Sequence, residues 1–340
     1  MAGPTRAAER RRAQQQLLAL RTMRAADRLW REVSPTRITA SWRTIANHMA
    51  ALLIAAQQAA AAGAQSYVDD VVTELGGESD PAGDLNPAAF AGRAADGRSL
   101  ASLLDQPRIT TLTNLAAGAG PRQALDAGRV QLLRIVGSET ADAGRSAAGA
   151  GITSNRTCTG YVRVIAPGAC NRCVILAGMT FHTEVAFRRH PHCHCTNEPT
   201  IAGRSRPHTD PDAYFHSLTR AQQEATFGRA GARAIRDGAD INAVVNIRRR
   251  GALYTTTDAY GRRVQATREG TTRRGAYYRA ERARISQQTG IRYARDRIEA
   301  QQGLPAFRLA GARLTPEAIY QTAATREDAI ALLRQYGYLI

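Results

Sequence analysis

Four of the five cysteines in this 340-residue chain lie between residues 170 and 195. The first two form Cys170-x-x-Cys173, the last two form Cys193-x-Cys195, and His190 precedes the second pair. Thiolates spaced in this way, with imidazoles beside them, can satisfy a tetrahedral soft cation such as zinc. The sequence therefore predicts that this part of the chain folds around a zinc ion.

The two pairs differ in spacing, and the spacing limits how each can face a metal. A gap of two residues lets Cys170 and Cys173 point into one tetrahedron from a tight turn. If the second pair is extended, Cys193 and Cys195 share one face and the neighbouring histidines face the other way. We predict a four-thiolate site, with His190 as the substitute ligand if a turn breaks the extension. Cys158 stands apart and is expected to be a buried apolar side chain.

A structural role is favoured over a catalytic one for this zinc. A hydrolytic zinc keeps an open position and has a carboxylate nearby as general base, and the zinc nucleobase deaminases need a His-x-Glu element before the cysteines. The only histidine before Cys170 is His48, and Met49 follows it. The sequence also lacks a Walker-type loop, a dinucleotide fingerprint and a nucleophile elbow. We therefore expect a protein that is not an enzyme.

The chain is strongly basic, with 46 basic and 29 acidic residues and a formal charge of +17. Such an excess implies a polyanionic partner, whether nucleic acid, an acidic protein surface or anionic lipid. The segment from residue 229 to residue 300 is the most basic, and the alternative for it is a solvated helical face or a contact with a structural protein. The predicted nucleic-acid contacts in this segment are Arg248, Arg249, Arg250, Arg262, Arg263, Arg273 and Arg274.

The hydrophobic fraction is 44% but the aromatic fraction only 6%, so the apolar residues are largely alanine and leucine, a composition that favours helices. Apolar residues recur at helical spacing between residues 7 and 62, and Ser34-Pro35 interrupts the pattern, so two long helices joined near that proline are predicted. Further helices are predicted over 65–75, 99–105, 108–117, 122–136 and 220–236, the last with a capping box at Thr219 and Gln222. Two short helices are expected to begin at Thr315 and Thr325.

Strand patterns occur only near the cysteines. Alternation and β-branching predict a strand over 159–165, and a second strand is expected over 178–181. The expected fold class is mainly α with a small α+β module. Its predicted domains are an α-helical N-terminal domain over 1–151, an α+β module with the Cys/His cluster over 152–250, and a basic C-terminal extension with terminal helices over 251–340.

No targeting peptide is recognisable at the start, and the longest apolar stretch, residues 49–62, is too short to span a bilayer. A soluble protein made in a reducing cytoplasm is expected, and clustered cysteines there favour metal over disulfides.

Several strings around the cysteines resemble one known family. They match the signature region of MuF-like minor capsid proteins, the head-morphogenesis proteins of tailed double-stranded DNA phages. That family has a Cys-x-x-Cys, a glycine-bearing apolar strand and a His-Pro-x-Cys-x-Cys, which correspond here to Cys170, Cys173, Gly178, His190, Pro191, Cys193 and Cys195. Short strings at 86–89, 269–275 and 314–320 are similar to the versions carried by phages of actinobacteria.

The resemblance implies a structural minor capsid protein, made in the host cytoplasm and retained in the virion, in the capsid interior. Its implied partners are the portal protein, the major capsid protein and double-stranded DNA, with no membrane partner. Contact with DNA would be independent of sequence, since arginines neutralise phosphates without reading bases. Two alternatives remain: a capsid maturation protease that cleaves scaffold or capsid protein, and a zinc-ribbon nucleic-acid binder of the host.

Overall fold

The computed structural model describes residues 3–183, 185, 193, 195–203, 209–249, 251–257, 261–271, 277–279, 281, 283, 287 and 312–339. Contacts divide the chain into two compact units. The first comprises Met1–Ala169 and Leu176–Thr209, and the second comprises Cys170–Ile175 and Asp210–Ile340. These two units do not test the domain division predicted from the sequence, which stays a prediction: 1–151, 152–250 and 251–340.

Helices form most of the first unit, which confirms the expected mainly α fold with a small amount of β structure. Thr5 caps the first helix by accepting a hydrogen bond from the backbone N–H of Ala8. The chain leaves the helical path around Pro35, as predicted, and begins the next helix at Ile38. The helices are α1 (Arg6–Trp30), α2 (Ile38–Ala61), α3 (Ala64–Glu74), α4 (Leu100–Leu104), α5 (Gln106–Ala116) and α6 (Pro121–Ser154), with a 3₁₀ helix at Pro87–Phe90.

The core of this unit lies where α1, α2, α4 and α6 meet. Trp30 and Trp42 contact each other with ring centroids 5.7 Å apart, and Met49, Leu53 and Leu132 are fully buried around them. Large side chains on facing helices thus form one continuous apolar cluster, which removes their surface from water.

The longest helix, α6, has 34 residues and extends well past the predicted end at residue 136. Its second half is rich in glycine, alanine, serine and threonine, so it carries no leucine stripe that could reveal a helix in the sequence. Buried small residues such as Gly144, Ala147 and Gly151 let neighbouring elements approach this half closely. Tertiary packing therefore stabilises this part of the helix, which the sequence pattern does not predict.

Gly128 lies where α6 packs tightly against α5 and α1. A Cβ atom built on Gly128 would lie only 2.7 Å from the backbone oxygen of Pro107 in α5 and 2.7 Å from Cζ2 of Trp30 in α1. It would also collide with the hydroxyl of Thr111, which donates a hydrogen bond to that same oxygen at 2.9 Å. The absence of a side chain at residue 128 is therefore required where α6 passes α5 and α1.

A three-stranded antiparallel sheet completes the first unit, with strand order β2-β1-β3. The strands are β1 (Cys158–Val164), β2 (Thr180–Phe181) and β3 (Thr196–Ile201). Tyr161 pairs with Phe181 on one side and Pro199 on the other. The two strands predicted around the first cysteine pair are thus confirmed, and β3, which follows Cys195, was not predicted.

Strand β3 is tied to the helices by two buried polar contacts. The carboxylate of Glu198 accepts a hydrogen bond from the backbone N–H of Thr5 at 3.3 Å. The hydroxyl of Tyr67, in α3, donates to the backbone oxygen of Asn197 at 2.5 Å. The strand directly after Cys195 is therefore held in place by the start of α1 and by α3.

In the second unit, the predicted helix over 220–236 is divided. Gly228 has a φ of +77°, a left-handed conformation that ends one helix before the next begins. The capping box of Thr219 and Gln222 is present, and Thr315 and Thr325 cap the last two helices, as predicted. The helices of this unit with described bounds are α7 (Asn171–Val174), α8 (Pro211–Ser217), α9 (Arg220–Phe227), α10 (Arg229–Arg236), α11 (Ile241–Asn246), α12 (Pro316–Thr322) and α13 (Arg326–Gln335).

The second unit also contains a sheet that the sequence did not predict. Strands β4 (Leu253–Thr257) and β5 (Arg263–Thr267) form an antiparallel hairpin, and β6 (Arg313–Leu314) pairs with β5. Val264 and Ala266 are buried while Arg263 and Gln265 are exposed, which is the alternation of a strand with one face on the core, and the last residue, Thr267, is buried as well. Five residues are too few for this alternation to stand out in an arginine-rich segment.

Asp27 links α1 to α6, and its ionisation is expected to affect stability. The carboxylate accepts hydrogen bonds from Arg129 and, at 2.9 Å, from Arg31. The hydrogen bond from Arg129 is the main cause that lowers the pKa of Asp27 below its ordinary value of 3.8. The stabilisation is therefore present above that value and is lost as the pH falls through the lowered pKa.

We expect Asp27→Asn to make the free energy of unfolding less dependent on pH in the acid range, by about 1 kcal/mol between pH 5 and pH 3. Urea unfolding followed by circular dichroism at several pH values measures this. Asp70→Asn is the control, because Asp70 is 59% exposed and pairs with Arg10 only at 3.4 Å. Equal pH profiles for the two variants would contradict the prediction.

Candidate metal centre

The structure brings together three of the predicted ligands. The sulfur atoms of Cys173, Cys193 and Cys195 all lie within 4.8 Å of one another. All three residues are buried, with at most 2% of their surface exposed. Zinc–sulfur bonds of about 2.3 Å place the sulfurs of a tetrahedral site roughly 3.8 Å apart, so a small inward movement suffices. This buried cluster can hold a metal ion.

The Cys-x-x-Cys forms one helical turn, in agreement with its predicted tight geometry. Cys170 is the N-cap of α7, and its backbone oxygen accepts hydrogen bonds from the N–H groups of Cys173 at 2.9 Å and Val174 at 3.0 Å. Among the described residues, the three-thiol cluster does not include Cys170, which is partly exposed. His190 lies outside the described residues. The choice of fourth ligand, Cys170 or His190, stays a prediction.

The guanidinium of Arg145, in α6, contacts the backbone of the second cysteine pair. Its Nη1 donates to the backbone oxygens of Cys193 at 2.7 Å and Cys195 at 3.2 Å, and its Nη2 pairs with Asp142. Both carbonyls thus face one guanidinium just before β3, which begins at Thr196. Arg145 could not be found from the sequence, because nothing distinguishes this helical arginine from the many others.

A cavity of about 20 Å³ lies next to Arg145 in the first unit. Four buried side-chain atoms of its lining have no hydrogen-bond partner among the described residues: Gln15 Oε1, Arg145 Nε, Thr196 Oγ1 and Asn197 Oδ1. Buried polar atoms rarely stay unsatisfied, and a cavity of this size suits one or two water molecules. The same arginine therefore contacts the cysteine segment and lines this cavity.

Cys158 lies apart from the metal cluster, as the sequence predicted. It is buried at the start of β1, with 9% of its surface exposed. Burial is the main cause that raises the pKa of its thiol to about 11, and the charge of Asp69 adds to this. Cys158 is therefore a neutral, buried thiol that can serve as an internal control for experiments on the other cysteines.

The predicted nucleic-acid arginines differ in their surroundings. Arg248 forms an ion pair with Glu317, and Arg249 pairs with Glu269 at 3.6 Å. Arg262 and Arg263 are exposed at the start of β5. The others, Arg250, Arg273 and Arg274, lie outside the described residues. A nucleic-acid role for this set stays a prediction, and two of its members are already engaged by carboxylates.

Within the described part of the chain, no helix is both long enough and apolar enough to cross a membrane. Searches of curated proteins and of solved structures found no significant match. The VG15 protein family, in contrast, matches residues 1–221. This range contains α1 to α6, all three strands of the first sheet and both cysteine pairs. Because the match covers well over half of the 340 residues, the chain belongs to the VG15 family of phage proteins.

Proposed function

We propose that this phage protein is a structural minor capsid protein that acts in head morphogenesis and is not an enzyme. The observation that carries the proposal is the VG15 match over residues 1–221, which includes the whole cysteine window. The similarity of that window to the MuF-like signature supplies the specific role, as a component docked on the portal and the capsid interior.

In this proposal, zinc is held by Cys173, Cys193 and Cys195 with Cys170 or His190 as the fourth ligand. The three thiols occupy a buried cluster, which suits a closed structural site better than an open catalytic one. The sheet beside it is small, since β2 has only two residues, and so it contributes little apolar core. A bound zinc supplies folding free energy in such a place, and the protein's other residues supply the surfaces that meet its partners.

The proposed partners are the portal protein, the major capsid protein and the packaged double-stranded DNA. The formal charge of +17 supports a polyanion among them. Electrostatic contact with phosphates tolerates any sequence, which suits a protein that lies against a whole genome.

Mass spectrometry of the phage particles tests this proposal. We expect the protein in DNA-filled particles purified on a density gradient, at a few copies for each portal, and also in empty heads from a packaging-defective infection. The major capsid protein is the internal standard, and a phage-encoded enzyme of DNA replication is the control for carry-over. A protein abundant in the lysate but absent from both kinds of particle would overturn the proposal.

A further inference from the structure

One face of α1 carries arginines that the predicted nucleic-acid set does not include. Arg21, Arg24, Arg28 and Arg31 follow one another at intervals of three or four residues, which places them on one side of the helix. All four are exposed. We call these four residues the arginine stripe. They span about 15 Å along the helix axis.

Among the described residues, only one arginine of the stripe, Arg31, pairs with a carboxylate. The acidic residues of α1 are Glu9, in the first turn, and Asp27. Asp27 is buried and engaged by Arg129 as well as by Arg31, whose side chain is still 72% exposed. Among the described residues, no carboxylate lies within ion-pair distance of Arg21, Arg24 or Arg28. This contrasts with Arg248 and Arg249, which each pair with a glutamate.

The opposite face of α1 is firmly attached to the rest of the first unit. Arg11 donates to the backbone oxygens of Ala62 at 2.8 Å and Ala60 at 2.6 Å. At the other end, the indole N–H of Trp30 donates to the backbone oxygen of Leu125 at 3.2 Å. The stripe is therefore presented by a rigid helix, so little backbone entropy is lost when a partner binds.

We propose that the arginine stripe binds the phosphate backbone of double-stranded DNA without reading its sequence. Over the length of the stripe, DNA carries roughly nine phosphate charges, and guanidinium groups pair with phosphate oxygens in bidentate fashion. Four adjacent arginines, whose one intervening acid, Asp27, is buried, match such a uniform anion. An acidic protein is a poorer fit, because protein interfaces are depleted of charged residues at their centres. The exposed apolar residues of α1, Leu17 and Leu20, both precede the stripe in the sequence.

Fluorescence anisotropy with a short mixed-sequence DNA duplex and the purified full-length protein tests this proposal. The variant Arg21→Gln/Arg24→Gln/Arg28→Gln is expected to bind about tenfold more weakly at physiological salt. The slope of log affinity against log salt should become shallower by about 3. Glutamine keeps the helix propensity of arginine, and a thermal melt checks that the variant is folded.

The matched control is Arg37→Gln/Arg43→Gln/Arg122→Gln, which removes three exposed arginines elsewhere in the first unit and lowers the net charge equally. It is expected to change the affinity less than about twofold. Equal losses of DNA affinity in the two triple variants would show that only the net charge of the protein attracts DNA, and this would overturn the proposal. Unchanged DNA binding in the stripe variant would overturn it too and would leave an acidic protein as the stripe's partner. Neither result affects the particle test above, because that test does not depend on DNA binding.

Discussion

Cys195→Ser is expected to lower the zinc content of the purified protein from about one ion for each chain to nearly none. Loss of one thiolate from a site with three clustered thiols should weaken metal binding more than about 100-fold, since even residues that only orient ligands contribute up to that amount. Elemental analysis of freshly purified, never-chelated protein measures the zinc. Chelation of the wild-type protein, followed by circular dichroism, gives a second readout in case the variant does not fold.

Cys158→Ser is the matched control for this experiment. Cys158 is also a buried thiol of the first unit, yet it lies outside the cluster of Cys173, Cys193 and Cys195. The control should retain its zinc and lose only a little stability. If the wild-type protein contained no zinc, or if both variants retained it equally, the proposed metal centre would be wrong.

Gly128→Ala is expected to lower the free energy of unfolding by about 2–3 kcal/mol. The added methyl group would meet the backbone oxygen of Pro107 and the ring of Trp30, and it would displace the hydroxyl of Thr111 from its hydrogen bond. Backbone atoms and a packed indole cannot move aside without shifting α5 or α1. Urea unfolding followed by circular dichroism measures the change through the transition midpoint.

Gly149→Ala in the same helix provides the comparison. The nearest atom to a Cβ at Gly149 is Nδ2 of Asn197, at an ordinary contact distance of 3.8 Å. Replacing a helical glycine by alanine without a clash should stabilise the protein by about 0.5–1 kcal/mol. The two substitutions are thus expected to have opposite signs, and similar midpoints for both would show that α6 does not pass as close to α5 as the structure places it.

Local sequence signals predicted much of the fold because they were strong and short in range. Ser34-Pro35 located the break between α1 and α2, and the caps at Thr219, Thr315 and Thr325 located helix starts. These features depend on backbone geometry within a few residues. The second half of α6 was missed because its stability comes from contacts with distant residues. The β4–β5 hairpin was missed because each strand has only five residues, too few for a clear alternation.

The candidate site was also predicted only in part, since local signals identified some residues and long-range contacts determine the others. Spacing alone identified the cysteines, and the structure gathers Cys173, Cys193 and Cys195. Arg145 was beyond prediction, since its contact with Cys193 joins residues 48 positions apart. The arginine stripe was also missed, because a count of charges along the sequence favours the C-terminal segment and does not reveal which arginines are already paired with carboxylates.

The hydrogen bond between Thr5 and Glu198 has a consequence for synthesis in the infected cell. It joins residues 193 positions apart, so the beginning of α1 meets its strand only after more than half of the 340 residues have been translated. At ordinary elongation rates this takes about 10–40 s. During that interval α1 lacks its hydrogen-bond partner in β3. The first unit is therefore expected to reach its native structure only after the ribosome has translated β3.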